Sequence, residues 1–413
     1  MAKKIGIVGG GVVGGGVYEI LTSKFPHVCT VQSVAVRDLS KPRAWASAGT
    51  KFVDRWEAVV EDPEVEVVVE VMGGTTTAKE CVFRALELGK AVVTANKALL
   101  AEYTDEVVGK AKGPLGFEAA VCGGIPIIAT LQQHLAGDEI SSVSGIMNGT
   151  TNFMLSKMES SNVDYGDVLK EAQELGFAEA DPTADVEGHD VRAKIALLAK
   201  LAFGTTVSVE AIPTLGISRI QAVDFDYAKL LGATIRLLGT ARKDGESLSV
   251  YVAPHVVPAT HPAGFASATG PTNVVSIDSK QLGVASLRGA GAGRYPTARS
   301  IVADVLRVCA GATVPPFPDP NPNLTLTSDY ASRFYVRVIA ADQLGIVKAI
   351  GEMAERNVVS INAILQNPIT DPTNMAFVVT TDAVKHSAVQ AFAADVASAP
   401  FALSPPLVLN ILD

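Results

Sequence analysis

Short, almost continuously apolar segments recur through the first part of the chain. They are rich in β-branched side chains and cover residues 4–8, 31–37, 65–71 and 90–95. Stretches long enough for a helix separate them, and this alternation is typical of βαβ units, which build a parallel sheet with helices on both faces. The pattern predicts an α/β protein that begins with a doubly wound parallel sheet over residues 1–137.

The pattern becomes mixed over residues 138–325. Apolar and polar positions alternate at 141–147 and 248–257, as in strands, whereas 164–175 and 188–203 have the period of a helix. We expect an α+β domain here, with helices on one side of a sheet.

Residues 313–323 contain five prolines, and proline can continue neither a helix nor a central strand. We interpret this segment as a linker. Beyond it, the order strand, helix, strand, strand, helix, strand predicts a ferredoxin-like domain over 330–413. The six elements cover 333–341, 345–356, 358–366, 374–382, 383–396 and 407–412.

Composition adds limits to this picture. The chain has 413 residues, 48% of them hydrophobic, and a formal net charge of −9 with a pI near 5.3. That length predicts two or three domains, and an acidic chain without a Lys/Arg cluster argues against a nucleic-acid partner. No apolar run approaches the ~20 residues of a membrane-spanning helix, so we expect no membrane association.

The cysteines and the N-terminus bear on localisation. The four cysteines lie far apart, without the spacing of a disulfide framework or zinc site, which favours buried thiols in a reducing compartment. The first residues superficially look like a secretion signal, but their glycines fit a strand and turn better. These features predict a cytoplasmic protein.

Gly9, Gly11 and Gly14 directly follow the first predicted strand. In this context the spacing G-x-G-x-x-G is typical of a Rossmann dinucleotide-binding turn, with a purely structural turn as the alternative. After the second strand, the guanidinium of Arg37 suits the 2′-phosphate of NADP, whereas the carboxylate of Asp38 suits the ribose of NAD. Both cofactors are chemically acceptable, and the pattern favours NADP.

The segment 176–200 places charges where a helix should pack apolar side chains. If a helix begins near Gly188, its period puts Asp190 and Lys194 among leucines, and Lys200 on the solvent side. A buried ion pair is costly. Asp190 and Lys194 therefore form either a structural bridge or a catalytic pair in which the lysine exchanges protons.

Further acids precede this helix, namely Glu179, Asp181, Asp185 and Glu187. Such a group of carboxylates can hold a cation or a substrate ammonium. The alternative is an acidic surface loop that caps the helix and favours its dipole.

Other segments carry candidate chemistry. Lys97 follows the strand 90–95 at the edge where open α/β sheets bind ligands, although an ordinary surface lysine at a helix start has the same position. Glu118 precedes a glycine-kinked turn whose carbonyls can join it around a hard cation, with a plain domain-crossing loop as the alternative. Residues 288–297 form a second glycine-rich turn, which either closes over a cofactor or acts as a hinge. We expect the helical run after it, 298–309, to pack back on the first domain.

Five motifs together make the chain resemble homoserine dehydrogenases with a C-terminal ACT domain, over essentially its whole length. They are GGGVVG near the N-terminus, VTANK at 93–97, EAAVCGGIPII at 118–128, GIMNGTTNFML at 145–155 and GFAEADPTADVEGHDVRAK at 176–194. The resemblance implies reversible NAD(P)H-dependent reduction of L-aspartate 4-semialdehyde to L-homoserine, in threonine, methionine and isoleucine biosynthesis. It also implies that the second domain binds substrate and forms a homodimer or homotetramer.

The resemblance implies catalytic roles as well. Lys194 looks like the general acid that protonates the nascent alkoxide, and Lys97 looks like its partner. Glu179 and Asp190 resemble the acids that hold the substrate amino group and orient the lysine, with Asp185 a nearby supporting acid. Two lysines near each other and near NADP⁺ should lower one another's pKa.

A sodium ion and the cofactor complete the implied site. Glu118 with the carbonyls of Val121, Gly123 and Ile125 resembles the family's sodium site. The cofactor contacts implied by the matching positions are Gly9, Gly11, Val12, Val13, Gly14, Arg37, Thr75, Lys97, Gly176, Glu179 and Gly291.

The chain departs from the family pattern in places. Cys122 stands where smaller residues such as alanine are commoner, and the turn 342–345 lacks the proline usual in ACT domains. Binding of an amino-acid effector such as threonine by the tail is therefore a hypothesis. The alternative function is a non-catalytic nucleotide- and amino-acid-binding sensor, which would tolerate loss of the Lys194 amine.

Overall fold

The computed structural model describes residues 2–312, 315–369 and 371–413. Its first sheet has six strands, all of them parallel. In chain order this part comprises β1 (Lys3–Val8), α1 (Val12–Lys24), β2 (Cys29–Ala35), β3 (Phe52–Val53), α2 (Glu57–Val60), β4 (Val67–Glu70), α3 (Thr76–Glu87), β5 (Ala91–Thr94), α4 (Lys97–Lys110) and β6 (Leu115–Gly116). The order β3-β2-β1-β4-β5-β6 confirms the predicted doubly wound sheet.

The central strands of this sheet are buried on both faces. Successive strand residues point to opposite sides, and accordingly Val8 and Val68 lie in one apolar core while Ile7 and Val69 lie in another, each at most 1% exposed. A strand buried on both faces needs apolar residues at every position. For this reason the sequence shows these strands as continuous apolar runs.

The second part of the chain builds a mixed sheet with helices. It comprises α5 (Ile127–Ala129), β7 (Ile140–Ile146), α6 (Gly149–Ser161), α7 (Tyr165–Glu174), α8 (Thr183–Val186), α9 (His189–Phe203), α10 (Ala222–Leu230), β8 (Ala233–Asp244), β9 (Ser247–Pro258), β10 (Thr272–Ser279), β11 (Gly283–Ala290) and α11 (Arg294–Cys309). The strands run antiparallel in the order β11-β10-β7-β8-β9. The α+β character predicted for this part is confirmed.

Helix α11 returns to the first sheet although it follows the second. Ala298, Ile301 and Val305 share the apolar core of Ile7. A Cβ added at Gly16 in α1 would come within 3.0 Å of the Cβ of Ala298, so the close approach of α1 and α11 depends on that glycine. This helix ties the second sheet to the first.

The last part of the chain adds strands to the second sheet. It comprises β12 (Thr325–Leu326), β13 (Ala331–Ala340), α12 (Ile346–Arg356), β14 (Ile361–Gln366), β15 (Met375–Thr381), β16 (Val384–Lys385), α13 (His386–Ala397) and β17 (Leu407–Ile411). Apart from the short β12 and β16, this is the predicted order strand, helix, strand, strand, helix, strand. Strand β17 pairs in parallel with β9, Asn410 opposite His255, so this unit shares one continuous sheet with the second part.

The proline-rich segment 313–323 is not a free linker along its described length. Thr313 and Val314 lie outside the described residues, but Phe317 is 7% exposed and stacks on Phe117, with ring centroids 5.1 Å apart. The segment is therefore anchored in the apolar core that contains Phe117 and Phe317.

Among the helices of the described ranges, none combines the length and the apolar character that spanning a membrane requires.

Candidate active site

A cleft of about 870 Å³ lies beside the carboxyl ends of β4 and β5, the edge at which open α/β sheets bind ligands. Residues 70–74 and 95–98 line it from the first sheet, and Asp185, Asp190 and Lys194 from the second part. A smaller cavity of about 450 Å³ elsewhere has no carboxylate or lysine in its lining. The larger cleft is therefore the candidate active site.

Lys194 lies on α9 with its ammonium group at the floor of this cleft. The residue is 7% exposed, and Nζ donates to the carbonyl oxygen of Met147 at 2.6 Å and to Oδ2 of Asp190 at 2.7 Å. Helix α9 begins after Gly188, whose φ of 80° is in the left-handed region, so Asp190 and Lys194 stand one turn apart on one face. The inward-pointing pair predicted from the helical period is confirmed.

Asp190 bridges two lysines. Its Oδ1 lies 3.0 Å from Nζ of Lys97, while its Oδ2 accepts from Lys194. Lys97 is the first residue of α4, directly after Asn96, whose side chain accepts from the N–H of Leu99 and caps that helix. The end of β5 thus presents Lys97 to the cleft.

The charges of this cluster determine its protonation. Burial raises the pKa of Asp190, but attraction to Lys194 and Lys97 outweighs it and holds that pKa well below its usual range. Burial lowers the pKa of Lys194, and Asp190 more than reverses this, so the pKa of Lys194 is raised. The expectation of a lowered pKa is therefore wrong for Lys194, because Asp190 lies between it and Lys97. Lys194 is protonated at neutral pH.

Asn148 is a site residue that the sequence pattern does not reveal. Its Oδ1 accepts from the N–H of Thr151 as the cap of α6, and its Nδ2 donates to Oδ1 of Asp185 at 2.7 Å and Oδ2 of Asp190 at 2.9 Å. An asparagine before a helix is a recognisable cap. Its second role appears only when β7 and α9 come together in the fold, and it holds two carboxylates side by side.

Lys200, predicted to face solvent, is buried instead. It is 9% exposed, and its Nζ contacts Asp105 and donates to Oγ1 of Thr206 at 2.8 Å. Asp105 comes from α4 in the first part of the chain, so the pairing is invisible in the local sequence. Lys200 is a structural lysine of α9, remote from the lining of the cleft.

The glycine turn before α1 has the shape that a pyrophosphate requires. Gly9 has a φ of 114°, and a Cβ at Gly14 would lie 1.8 Å from the carbonyl oxygen of Gly9, so the turn and helix pack too tightly for side chains. A Cβ at Gly11, in contrast, would meet nothing within 4 Å. This leaves open space at the N-terminus of α1, where backbone N–H groups favour an anion.

The end of β2 carries both an acid and a guanidinium. The carboxylate of Asp38 accepts from the backbone N–H and hydroxyl of Ser40, whereas Arg37 is exposed and its guanidinium has no hydrogen-bond partner in the part of the chain that is described. The Nε of Arg43 lies 3.5 Å from the Cβ position of Gly10 in the glycine turn. The guanidinium of Arg43 donates to the carbonyls of Lys41 and Asp38, so of the two guanidinium groups only that of Arg37 has no partner in the described part of the chain.

Glu118 is a buried carboxylate, 5% exposed. Its oxygens accept from the N–H groups of Ile128 and Ala129, each at 2.8 Å, and burial raises the pKa of Glu118 to about 7. The carbonyls of Val121 and Gly123 accept no hydrogen bond from the residues described, while the carbonyl of Ile125 accepts from Ile127.

The backbone of this loop is turned sharply between the two unpaired carbonyls. Cys122 and Gly123 have φ values of 52° and 45°, in the left-handed region that redirects successive carbonyls. An all-oxygen set of this kind suits a hard cation. No cluster of three or more His, Cys, Asp or Glu side chains able to hold a metal occurs in the described ranges.

The structure gathers only part of the predicted site in the cleft. Val13, Lys97, Gly123, Gly176, Asp185, Asp190, Lys194 and Gly291 line it. Gly9, Gly11, Val12, Gly14, Arg37, Thr75, Glu118, Val121, Ile125 and Glu179 do not line it. Thr75 directly follows the lining residue Gly74, and Glu179 is exposed.

Comparisons with known proteins agree on one family. A family model described as the NAD binding domain of homoserine dehydrogenase matches residues 9–113, and one described as homoserine dehydrogenase matches residues 126–306. The chain is 39% identical to a homoserine dehydrogenase of Bacillus subtilis over 394 residues, which cover 92% of this chain and 90% of the relative.

Solved structures give the same result. The fold is similar to the crystal structure of a homoserine dehydrogenase from Thiobacillus denitrificans, with a TM-score of 0.93, 34% identity, and coverage of 100% of this chain and 99% of the other. It is also similar to a hyperthermophilic archaeal homoserine dehydrogenase in complex with NADPH, with a TM-score of 0.65, 28% identity, and coverage of 76% and 99% respectively.

Proposed function

Since the chain belongs to the homoserine dehydrogenase family, we propose that its cleft carries out that family's reaction with Lys194 as the proton donor. The activity is the reversible NAD(P)H-dependent reduction of L-aspartate 4-semialdehyde to L-homoserine. The observation that supports the role of Lys194 is its buried ammonium group, held between Asp190 and the Met147 carbonyl in the lining of the cleft.

The bound nicotinamide supplies or accepts the hydride. Reduction places negative charge on the aldehyde oxygen, and a preorganised cation beside that oxygen stabilises it as the charge develops. The raised pKa of Lys194 keeps the amine protonated, so it donates a proton to this oxygen in the direction of reduction. Lys97, paired with the same carboxylate, adds a second positive charge.

The carboxylates of the cleft suit a substrate with an ammonium group. Asp190 already serves two lysines and Asn148, whereas Asp185 accepts from Asn148 and keeps acceptor capacity towards the cleft. We assign Asp185 to the substrate ammonium and Asp190 to the orientation of Lys194. Glu179, which is exposed and does not line the cleft, remains the third acid that the family resemblance assigns to the substrate ammonium.

We assign the cofactor to the glycine turn of β1 and α1, with its contacts at Gly9, Gly11, Val12, Val13, Gly14, Thr75, Lys97, Gly176 and Gly291. NADP is the preferred form, because the exposed guanidinium of Arg37 after β2 has no hydrogen-bond partner among the described residues. A guanidinium pairs well with a phosphate.

The test of this proposal is a steady-state assay that follows nicotinamide absorbance with homoserine and each cofactor. We expect turnover with homoserine, and a higher kcat/KM with NADP⁺ than with NAD⁺. Removing charge with Arg37→Ala should lower kcat/KM for NADP⁺ about tenfold, the loss expected for one charge-assisted contact, and leave NAD⁺ nearly unaffected. Equal loss for both cofactors would contradict the assignment of Arg37.

A sodium ion at the Glu118 loop is part of the proposal. The buried carboxylate and the free carbonyls of Val121 and Gly123 form an oxygen set that suits it, and the ion would offset the cost of the buried charge and fix the loop beside Lys194.

This role predicts stabilisation by sodium. At about ten times its dissociation constant, a bound ion stabilises the folded state by about 1.4 kcal/mol, so the melting temperature should be higher in sodium chloride than in choline chloride of equal ionic strength. Glu118→Gln should remove the difference. A sodium effect that persists unchanged in Glu118→Gln would place the ion elsewhere.

Assembly, regulation and location complete the proposal. The exposed edge strands β11 and β14 end the second sheet, and unpaired edges invite pairing with another chain, which supports a homodimer or homotetramer.

The four cysteines are free and three are buried, in keeping with a cytoplasmic enzyme. We place the domains at 1–137, 138–325 and 330–413, the last an ACT-like regulatory unit that binds an amino acid such as threonine.

A further inference from the structure

Asn273, at the start of β10, is a buried amide without a partner. It lines the cleft and is 1% exposed, yet neither Oδ1 nor Nδ2 has a hydrogen-bond partner among the described residues. Buried polar groups are almost always paired, so an unpaired one in a cleft needs an explanation. Asn152, an equally buried asparagine nearby, differs in that its Nδ2 donates to three backbone carbonyls, so only its Oδ1 is without a partner among the described residues.

The turn before α11 covers the Asn273 amide. A Cβ added at Gly291 would lie 2.0 Å from Nδ2 and 2.6 Å from Oδ1, so only glycine allows the turn to lie against the amide. Gly293, two residues later, has a φ of 116°. Glycines at these positions leave the turn free to move off the amide at low conformational cost, and a ligand at the amide requires that movement.

The immediate neighbours of Asn273 are uncharged, although Lys194, Asp190 and Lys97 lie close enough to act on Cys122 beside it. The thiol of Cys122, a weak hydrogen-bonding group that does not satisfy an amide, lies on one side, and Gly291 lies on the other. On β11 its strand neighbour is Gly289. The carboxylates that suit a substrate ammonium are at Asp185 and Asp190, so Asn273 suits a neutral ligand group with both a donor and an acceptor.

We propose that Asn273 binds the carboxamide of the nicotinamide ring. A primary carboxamide has one acceptor oxygen and an NH₂ donor, which complement the Oδ1 and Nδ2 of asparagine in a paired arrangement. The contact fixes the rotation of the ring about its glycosidic bond and hence the face presented to the substrate. This inference rests on the proposed cofactor site and adds to it the group that orients the reacting ring.

The test measures binding by calorimetry of three ligands: NADP⁺, its 3-acetylpyridine analogue, in which a methyl group replaces the amide NH₂, and 2′-phospho-ADP-ribose, which lacks the nicotinamide. The wild type should bind NADP⁺ more tightly than the analogue. Asn273→Ala should weaken NADP⁺ about tenfold, abolish the preference over the analogue, and leave 2′-phospho-ADP-ribose unchanged. Because no hydrogen bond is lost in the free protein, Asn273→Ala should melt at the same temperature as the wild type. Asn152→Ala, which loses hydrogen bonds, should melt at a lower temperature.

Other results would overturn the inference. Equal weakening of NADP⁺ and 2′-phospho-ADP-ribose, or a melting temperature lowered as in Asn152→Ala, would show a structural role. Unchanged binding of all three ligands would show no role, and a raised KM for homoserine with normal NADP⁺ binding would assign the amide to the substrate. If the wild type failed to bind 2′-phospho-ADP-ribose, the proposed cofactor site itself would be wrong. This result differs from every outcome that concerns Asn273 alone.

Discussion

Replacing Lys194 with methionine is expected to lower kcat for homoserine oxidation by about 10³-fold, within the range that a positioned general acid or base contributes. Methionine retains most of the length of the side chain but has no proton to exchange and no charge to stabilise the oxyanion. Since the lysine acts mainly in the transition state, the dissociation constant for NADPH should change by less than about twofold. Stopped assays for kcat and fluorescence titration of NADPH measure the two quantities.

Lys200→Met provides a matched control on the same helix. Lys200 is as buried as Lys194 and also paired with an acid, but it lies outside the lining of the cleft. Its loss should reduce stability and leave kcat nearly unchanged. If both variants lost activity equally, or if Lys194→Met kept full turnover, the amine would not be the proton donor.

The rate of homoserine oxidation should increase as the pH rises above neutral. The pKa of Lys194 is raised because Asp190 outweighs burial, so the lysine is protonated through the neutral range and the reverse reaction, which needs it as a base, should speed up as pH rises above neutral. Asp190→Asn removes the raising charge, and the rise should move to lower pH. If the pH–rate profile of Asp190→Asn matched that of the wild type, the group that titrates would not be Lys194.

The parts of the fold that the sequence predicted are those whose signal is local. The strands β1, β2, β4 and β5 read as apolar runs because they are buried on both faces, and α9 showed its inward charges through the helical period. The sequence pattern did not predict strand β11. This strand lies at the edge of its sheet, where its side chains alternate between half-buried and exposed, and several of them are small or polar.

What the sequence could not supply were partners from distant segments. Lys200 was expected to face solvent because Asp105 belongs to another part of the chain, and Asn148 was not identified because its two carboxylates lie on α8 and α9. The tail looked like a separate unit because the pairing of β17 with β9 joins residues such as His255 and Asn410. In each case the decisive contact is made only by the tertiary fold.

The junction between the tail and the second part gives the largest expected loss of stability. Asp224 on α10 is 0% exposed and its Oδ2 lies 2.6 Å from Nη1 of Arg337 on β13, itself 5% exposed. The hydroxyl of Tyr335 donates to Oδ1 of Asp224 at 2.7 Å. Asp224→Ala leaves the guanidinium buried without its counter-charge, and the free energy of unfolding should fall by about 3–5 kcal/mol. Urea denaturation followed by circular dichroism measures this loss.

Two further variants separate the unpaired charge from the loss of packing. Glu352→Ala breaks an exposed pair with Lys348 on α12 and should cost no more than about 0.5 kcal/mol. The double variant Asp224→Leu with Arg337→Met replaces the buried pair by apolar groups and should recover much of the stability lost in Asp224→Ala, because no charge remains buried. A double variant as unstable as Asp224→Ala would mean that the stability depends on the hydrogen bonds of Asp224, to Tyr335 across the junction and to the N–H of Gln221 in the cap of α10, rather than on its charge.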